Sequence, residues 1–169
     1  KQTRYATRDD LQGYCHRSAD PVGRIVLALD GCRDPRLVSM SDSICTGLQL
    51  VNFWQDIRRD RLAGRVYLPL EDLVRFGCSE KSLAKHSKSS DFLALMDFEA
   101  ERATSYYKEA EAILPERDRK ALVPARIMAD IYRAVLDRMR RGGFNVFSVR
   151  YSLSRFRKIS ILLRCCIER

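Results

Sequence analysis

The segment GLQLVNFWQDIRRDRLAGRVYLP, residues 47–69, constrains the fold of this chain more than any other. It places Gln49, Asn52, Asp56 and Asp60 at intervals of three, four and four residues. At about 100° per helical residue, these four side chains fall within about 80° of one another. The spacing therefore predicts one continuous helix with a polar stripe. The other positions of this stretch are mainly apolar and include Leu48, Leu50, Val51, Phe53, Trp54 and Ile57.

Two carboxylates one helical turn apart suit a hard divalent cation. Mg²⁺ takes oxygen ligands, keeps several waters, and is usually held by one or two carboxylates together with phosphate oxygens. An ordinary surface helix with Asp–Arg pairs at i,i+4 is the alternative. The apolar surroundings favour a magnesium-bound diphosphate instead, because carboxylates that are removed from water need a positive charge nearby. Guanidinium groups that suit phosphate oxygens follow directly at Arg58, Arg59, Arg61 and Arg65.

Helical periodicity extends along almost the whole chain and predicts an all-α protein with one core. Gly13, Pro21 and Gly23 predict a kink within the first helix, near residues 18–23. Asp34 and Pro35 predict the start of the motif helix. The predicted helical segments are 8–30, 34–61, 70–76, a short helix plus loop in 79–88, then 91–114, 119–141 and 154–167.

The composition limits the cellular setting and the partners. The longest apolar run, residues 159–163, is too short to span a bilayer, so we expect a cytoplasmic protein, with peripheral membrane contact left open. The six cysteines have no zinc or disulfide spacing and are expected to be reduced thiols, with Cys15 and Cys45 as small buried residues. The net charge of +9 admits nucleic acid, an anionic membrane or a phosphorylated substrate. Nucleic acid is the weakest, because the basic residues are spread over several helices.

A second motif, YCHRSADPVGRIVL, occupies residues 14–27. Tyr14, Ser18 and Val22 follow at i, i+4 and i+8, so they are expected to share one face that points into a cavity, up to the bend at Pro21. Asp20 is expected to be solvated or paired with Arg17 or Arg24. A tyrosine buried for packing alone is the alternative for Tyr14.

The two motifs together resemble the squalene/phytoene synthase family, over residues 11–158, and are most similar to its hopanoid-pathway branch, the hydroxysqualene synthases. The resemblance implies an isoprenoid-synthase-type helical bundle. It also implies a second aspartate-rich motif, which is expected upstream of Lys1. We therefore expect residues 1–169 to be a single domain that forms the C-terminal portion of such an enzyme, an incomplete bundle that is inactive by itself.

The resemblance also implies roles for individual residues. Tyr14 and Tyr132 are expected to be catalytic, and Tyr14, Phe53 and Trp54 are expected to shield a carbocation. Gln55 departs from the family, which often has an arginine at this position. Substrate binding is expected at Gln49, Arg59, Arg65, Tyr67, Arg150 and Ser18, and Mg²⁺ binding at Asn52, Asp56 and Asp60.

The implied reaction is the Mg²⁺-dependent head-to-head condensation of two farnesyl diphosphates to presqualene diphosphate, or conversion of that intermediate to hydroxysqualene or squalene. Phytoene or dehydrosqualene synthesis is one alternative. A non-catalytic relative that acts as an assembly or interaction protein is another. The partners are thus prenyl diphosphates, and the sequence leaves the oligomeric state open.

Overall fold

The computed structural model shows an all-α protein and describes residues 2–81, 83, 89–114 and 122–167. No β-strand occurs in this part of the chain, as the sequence predicted. Within it, no helix combines the length and apolar character needed to cross a membrane. The helices are α1 (Arg8–Ser18), α2 (Asp20–Leu29), α3 (Pro35–Gln55), α4 (Ile57–Leu62), α5 (Leu70–Arg75), α6 (Ser90–Ile113), α7 (Val123–Arg141) and α8 (Arg155–Ile167).

The starts of three helices follow directly from local sequence. The Thr7 hydroxyl accepts from the Asp10 amide, and the Asp10 carboxylate accepts from the Thr7 amide, which forms a capping box before α1. Asp34 caps α3 ahead of Pro35, where the sequence predicted this helix to begin. Ser89 caps α6 in the same way. The end of α7 at Gly142 also matches its predicted end.

Helix α3 lies at the centre of the fold and contacts α1, α2, α6 and α7. Its Leu50, Val51 and Trp54 are buried in the main hydrophobic core with residues of α6. At Gly47, a Cβ atom would lie 3.0 Å from the Tyr107 ring, so the small residue permits close approach of α6. The helix that carries the polar stripe is therefore also the helix that organises the core.

The predicted kink in the first helix is present and separates α1 from α2 at Ala19. Pro21 lies in the first turn of α2, where its missing N–H is tolerated. Val22 and Ser18 consequently belong to different helices. The face expected for Tyr14, Ser18 and Val22 up to the bend is therefore interrupted at Ala19, and Val22 does not continue it.

The motif helix is shorter than the predicted 34–61. It ends at Gln55, and α4 begins at Ile57, because Asp56 has φ −102° and ψ 11°. The hydrogen-bond ladder continues across this residue, since the Asp56 amide donates to the Asn52 carbonyl and the Asp60 amide donates to the Asp56 carbonyl. The break is therefore local, and the four side chains of the polar stripe remain close to one another.

Some expectations concern residues outside the described part of the chain. Most of the segment 79–88 lies there, as does the predicted start of α7 at residue 119. All six cysteines are free thiols. Cys15 is buried as predicted, whereas Cys45 is only half-buried.

A buried charge cluster, formed by Asp72, Glu99 and Arg102, joins α5 to α6 and had no clear signal in the sequence. Arg102 donates to the Asp72 carboxylate at 2.7 Å and to Glu99 at 2.9 Å. Its guanidinium also lies over the Phe98 ring, 4.7 Å from the centroid. One guanidinium thus pairs with two buried carboxylates. Burial raises the pKa of Glu99 to about 8, although the positive charge of Arg102 acts to lower it.

Close packing of α2 against α3 predicts the effect of a methyl group at Gly23. A Cβ atom there would overlap the Ser41 hydroxyl and would lie 2.7 Å from the Cys45 sulfur. We expect Gly23→Ala to lower the free energy of unfolding by about 1–3 kcal/mol. Gly13→Ala is the control, because its Cβ would meet only the end of the Arg17 side chain, and a gain of about 0.5–1 kcal/mol is expected. Equal stabilities in urea denaturation would contradict this packing.

Glu99 predicts a pH dependence of stability. The folded protein holds the Glu99 proton more tightly than the unfolded chain does, so stability falls as pH rises from 4.5 to about 8. Urea denaturation at several pH values should show this fall, and Glu99→Gln should flatten it. Glu101→Gln, an exposed change on the same helix, should leave the fall unchanged. The same slope in all three proteins would show that Glu99 does not cause it.

Candidate active site

The C-terminal end of α3, α4 and the segment after α4 enclose a polar cavity of about 330 Å³. All four residues of the polar stripe line it, as the spacing predicted. Two arginines and a tyrosine that the sequence singled out also line it. The lining residues are Gln49, Asn52, Phe53, Asp56, Arg59, Asp60, Arg65 and Tyr67.

Each carboxylate of this cavity has a guanidinium partner. Arg59 contacts the Asp56 carboxylate at 2.7 Å, and Arg65 contacts Asp60 at 2.6 Å. Asp60 is buried, so Arg65 compensates a charge that would otherwise be costly to desolvate. The hydrogen bond to Asp60 raises the pKa of Arg65. Both arginines line the same cavity as the two carboxylates.

The oxygen donors of the cavity fit one kind of metal site. Two carboxylates and two amide groups face it, but no cluster of three or more His, Cys, Asp or Glu side chains suited to a metal occurs in the described residues. Mg²⁺ shared between one or two carboxylates and a phosphorylated ligand matches this donor set.

One wall of the cavity is aromatic. The rings of Phe53 and Tyr67 stack with centroids 3.9 Å apart. Tyr14 is not part of the cavity lining, but the centroid of its ring lies 5.8 Å from that of Tyr67. Burial, followed by a hydrogen bond with Tyr14, raises the pKa of Tyr67. Behind them, burial raises the pKa of Tyr5 to about 12. Trp54, by contrast, is completely buried in the core and does not line this cavity.

A second cleft, of about 370 Å³, lies on the other side of Asp56. Arg58 and Arg150 line it together with Asp56 and Arg59, so the loop after α7 brings Arg150 towards the acidic residues. The Gln55 side chain donates to the Tyr151 carbonyl at 2.6 Å and holds this loop against the end of α3. Local sequence patterns could not show this contact, because it joins residues 96 positions apart.

An apolar groove of about 270 Å³ lies beside the N-terminal half of α3. Val22 and Val26 of α2, Ile44 and Leu48 of α3, and Met128 of α7 line it. Leu48 is one turn from Asn52, so the apolar groove and the polar cavity follow each other along one helix.

Three residues singled out by the sequence lie elsewhere. Ser18 is exposed, and its hydroxyl donates to the Tyr14 carbonyl at 2.8 Å. Tyr132 is half-buried against the main core, near Tyr107, and is not part of the lining of the polar cavity.

Asp20 is the third. It is completely buried, accepts from the Thr46 hydroxyl at 2.9 Å, and lies 2.5 Å from the His16 ring. The expectation that it is solvated or paired with Arg17 or Arg24 is wrong, because α2 presses it against α3, and Arg24 pairs with Asp42 instead.

The family model for squalene/phytoene synthase matches residues 1–157. The chain belongs to this family. Its members are prenyltransferases, and relatives include the 15-cis-phytoene synthase of Synechocystis, 33% identical over 161 residues, which are 88% of this chain and 48% of the relative. The phytoene synthase of Mycobacterium tuberculosis is 30% identical over 90% of this chain and 52% of its own length. The chain thus spans about half the length of the curated relatives it matches.

Solved structures of squalene/phytoene synthases show the same fold. The squalene synthase HpnC of Alicyclobacillus acidocaldarius is 34% identical, with a TM-score of 0.78 over 86% of this chain and 55% of that one. A dehydrosqualene synthase crystallised with a ligand is 29% identical, with a TM-score of 0.83 over 98% of this chain and 59% of that one. These similarities confirm the predicted isoprenoid-synthase-type bundle.

Proposed function

We propose that the protein takes part in the Mg²⁺-dependent head-to-head condensation of two farnesyl diphosphates, and in conversion of presqualene diphosphate to hydroxysqualene or squalene in hopanoid biosynthesis. The observation that carries this proposal is the cavity that joins the carboxylates of Asp56 and Asp60 to the guanidinium groups of Arg59 and Arg65. Acidic and basic groups around one space suit a ligand that contains both a cation and phosphate.

The polar cavity is the proposed diphosphate end of the site. Asp56, Asp60 and the Asn52 amide would hold Mg²⁺, which supplies stabilisation of the negative charge on a departing diphosphate. Arg59 and Arg65 would exchange their carboxylate partners for phosphate oxygens when a ligand brings its own cation to those carboxylates. Gln49 lies in the same lining and would donate to the phosphate. Arg150, in the adjoining cleft, would bind from the other side of Asp56.

The apolar groove is the proposed site for a prenyl chain. Ile44 lies in this groove and Asn52 in the polar cavity, and the helical rise places them about 12 Å apart along α3. A ligand with a charged head and a hydrocarbon tail can therefore contact both regions of one helix. Ser18 lines neither the apolar groove nor the polar cavity, and its role in substrate binding stays a prediction.

The aromatic wall is the proposed shield for the cationic intermediates. In the proposed first step, the allylic C–O bond of one substrate breaks, and the double bond of the second substrate attacks the resulting cation. Loss of a proton then closes the cyclopropane ring of presqualene diphosphate. The Tyr14 ring would stabilise positive charge, and its hydroxyl would guide the proton to diphosphate, while Phe53 and Tyr67 exclude water. The catalytic role of Tyr132 stays a prediction.

Phytoene or dehydrosqualene synthesis is the second candidate, and the names of the similar proteins favour it. Both candidates use the same site and differ in the fate of the cyclopropyl intermediate, and phytoene synthesis also uses a longer substrate. We also propose peripheral contact with an anionic membrane, since the net charge is +9 and the products are hydrocarbon-like.

The decisive experiment identifies the product. The protein, expressed with any coding sequence that flanks the chain, is incubated with Mg²⁺, NADPH as hydride donor, and farnesyl, geranylgeranyl or presqualene diphosphate. The organic-soluble material is then analysed by mass spectrometry. Hydroxysqualene or squalene would support the first candidate. Phytoene or dehydrosqualene would support the second. Absence of any of these products, with the protein folded and all three substrates tested, would contradict both candidates and favour a non-catalytic relative.

The site predicts the effect of removing one carboxylate. Asp56→Ala should lower turnover at least about a hundredfold, because it removes a proposed ligand of Mg²⁺. Asp97→Ala, at an exposed position of α6, is the matched control and should keep normal turnover. Circular dichroism should show equal helicity in both variants. Unchanged product formation by Asp56→Ala would refute the metal assignment.

A further inference from the structure

Helix α8 presents an apolar stripe to solvent. Phe156, Ile159, Leu163 and Ile167 are all exposed, with Phe156 at 86% and Ile167 at 80% of full accessibility. At about 100° per residue they fall within about 80° of one another. A hydrophobic face of this kind on the outside of a helix has an energetic cost in water and indicates an interaction surface.

The opposite face of the same helix accounts for its attachment to the fold. Ile161 and Cys165 are buried and form a small cluster with Val123 of α7. The Arg164 side chain donates to Asp130 of α7 at 2.8 Å. The helix is therefore already fixed by its inner face, and the outer stripe contributes nothing to this attachment.

Basic residues flank the stripe. Arg155 and Arg157 are exposed, and neither has an acidic partner among the residues that the structure describes. Arg155 lies on one side of the stripe, and Arg157 lies on the other. An apolar face bordered by cationic side chains is the pattern of helices that lie in the interface of an anionic bilayer.

We propose that α8 docks the protein on an anionic lipid surface, with Phe156, Ile159, Leu163 and Ile167 inserted among the acyl chains and the flanking basic groups on the headgroups. A second copy of the chain is a weaker fit, because pairing two α8 helices along this stripe would bring their arginines together. The proposal locates the membrane contact proposed above and does not depend on the condensation reaction. Vesicle binding and product formation can therefore fail separately.

The test is binding of the 169-residue chain to vesicles of phosphatidylcholine with and without phosphatidylglycerol, measured by co-sedimentation. The native chain should bind the anionic vesicles and release from them as salt is raised. Phe156→Ser should lower the partition coefficient at least about tenfold, because it removes the most exposed apolar side chain of the stripe. Val74→Ser is the matched control, since Val74 is 77% exposed on α5, and it should bind normally.

A second pair of variants tests the charges. Arg155→Gln with Arg157→Gln should weaken binding to anionic vesicles at least about tenfold. Arg8→Gln with Arg33→Gln removes the same net charge from exposed positions elsewhere and should leave binding nearly unchanged. Equal losses in both pairs would show a diffuse effect of net charge and overturn the assignment to α8. So would failure of the native chain to bind, or concentration-dependent dimerisation in sedimentation velocity that Phe156→Ser abolishes.

Discussion

This structure depends on one constraint, which is that two carboxylates at the end of an otherwise apolar helix need positive charges close to them. Asp56 and Asp60 lie where α3 leaves the hydrophobic core, and Asp60 is itself buried. Within the protein itself, Arg59 and Arg65 supply the positive charges that pair with these carboxylates. Ion pairs of this kind can be exchanged, because a cation on the carboxylates frees both guanidinium groups for phosphate. The same four residues that stabilise the fold locally are therefore suited to binding a metal and a diphosphate together.

Helix α3 connects this site to the rest of the molecule. One face packs Val51 and Trp54 into the core, and Gly47 admits Tyr107 of α6. The neighbouring face carries the polar cavity at its C-terminal end and the apolar groove nearer its start. A change in the packing of α2 or α6 would therefore alter the proposed substrate regions directly. The close approach of α2 at Gly23 matters for this reason, since Gly23 also lines the groove.

Features set by local spacing could be predicted from the sequence. The polar stripe, the kink before Pro21, the start of α3 and the all-α fold all depend on residues within a few turns of one another. Features that depend on distant contacts could not. The burial of Asp20 against Thr46, the contact from Gln55 to Tyr151, and the shared guanidinium of Arg102 each join separate elements. The break at Asp56 was missed for a different reason, because the hydrophobic pattern continues across it.

Direct location of the metal tests the central claim most sharply. Crystals of the protein grown with Mn²⁺ in place of Mg²⁺, and with a farnesyl diphosphate analogue that cannot ionise, would give an anomalous signal for the cation. The account predicts a peak between the carboxylates of Asp56 and Asp60 and the diphosphate, with Arg59 and Arg65 turned from the carboxylates to phosphate oxygens. A bound analogue whose diphosphate lies away from these residues, with both Asp–Arg pairs still intact, would contradict it.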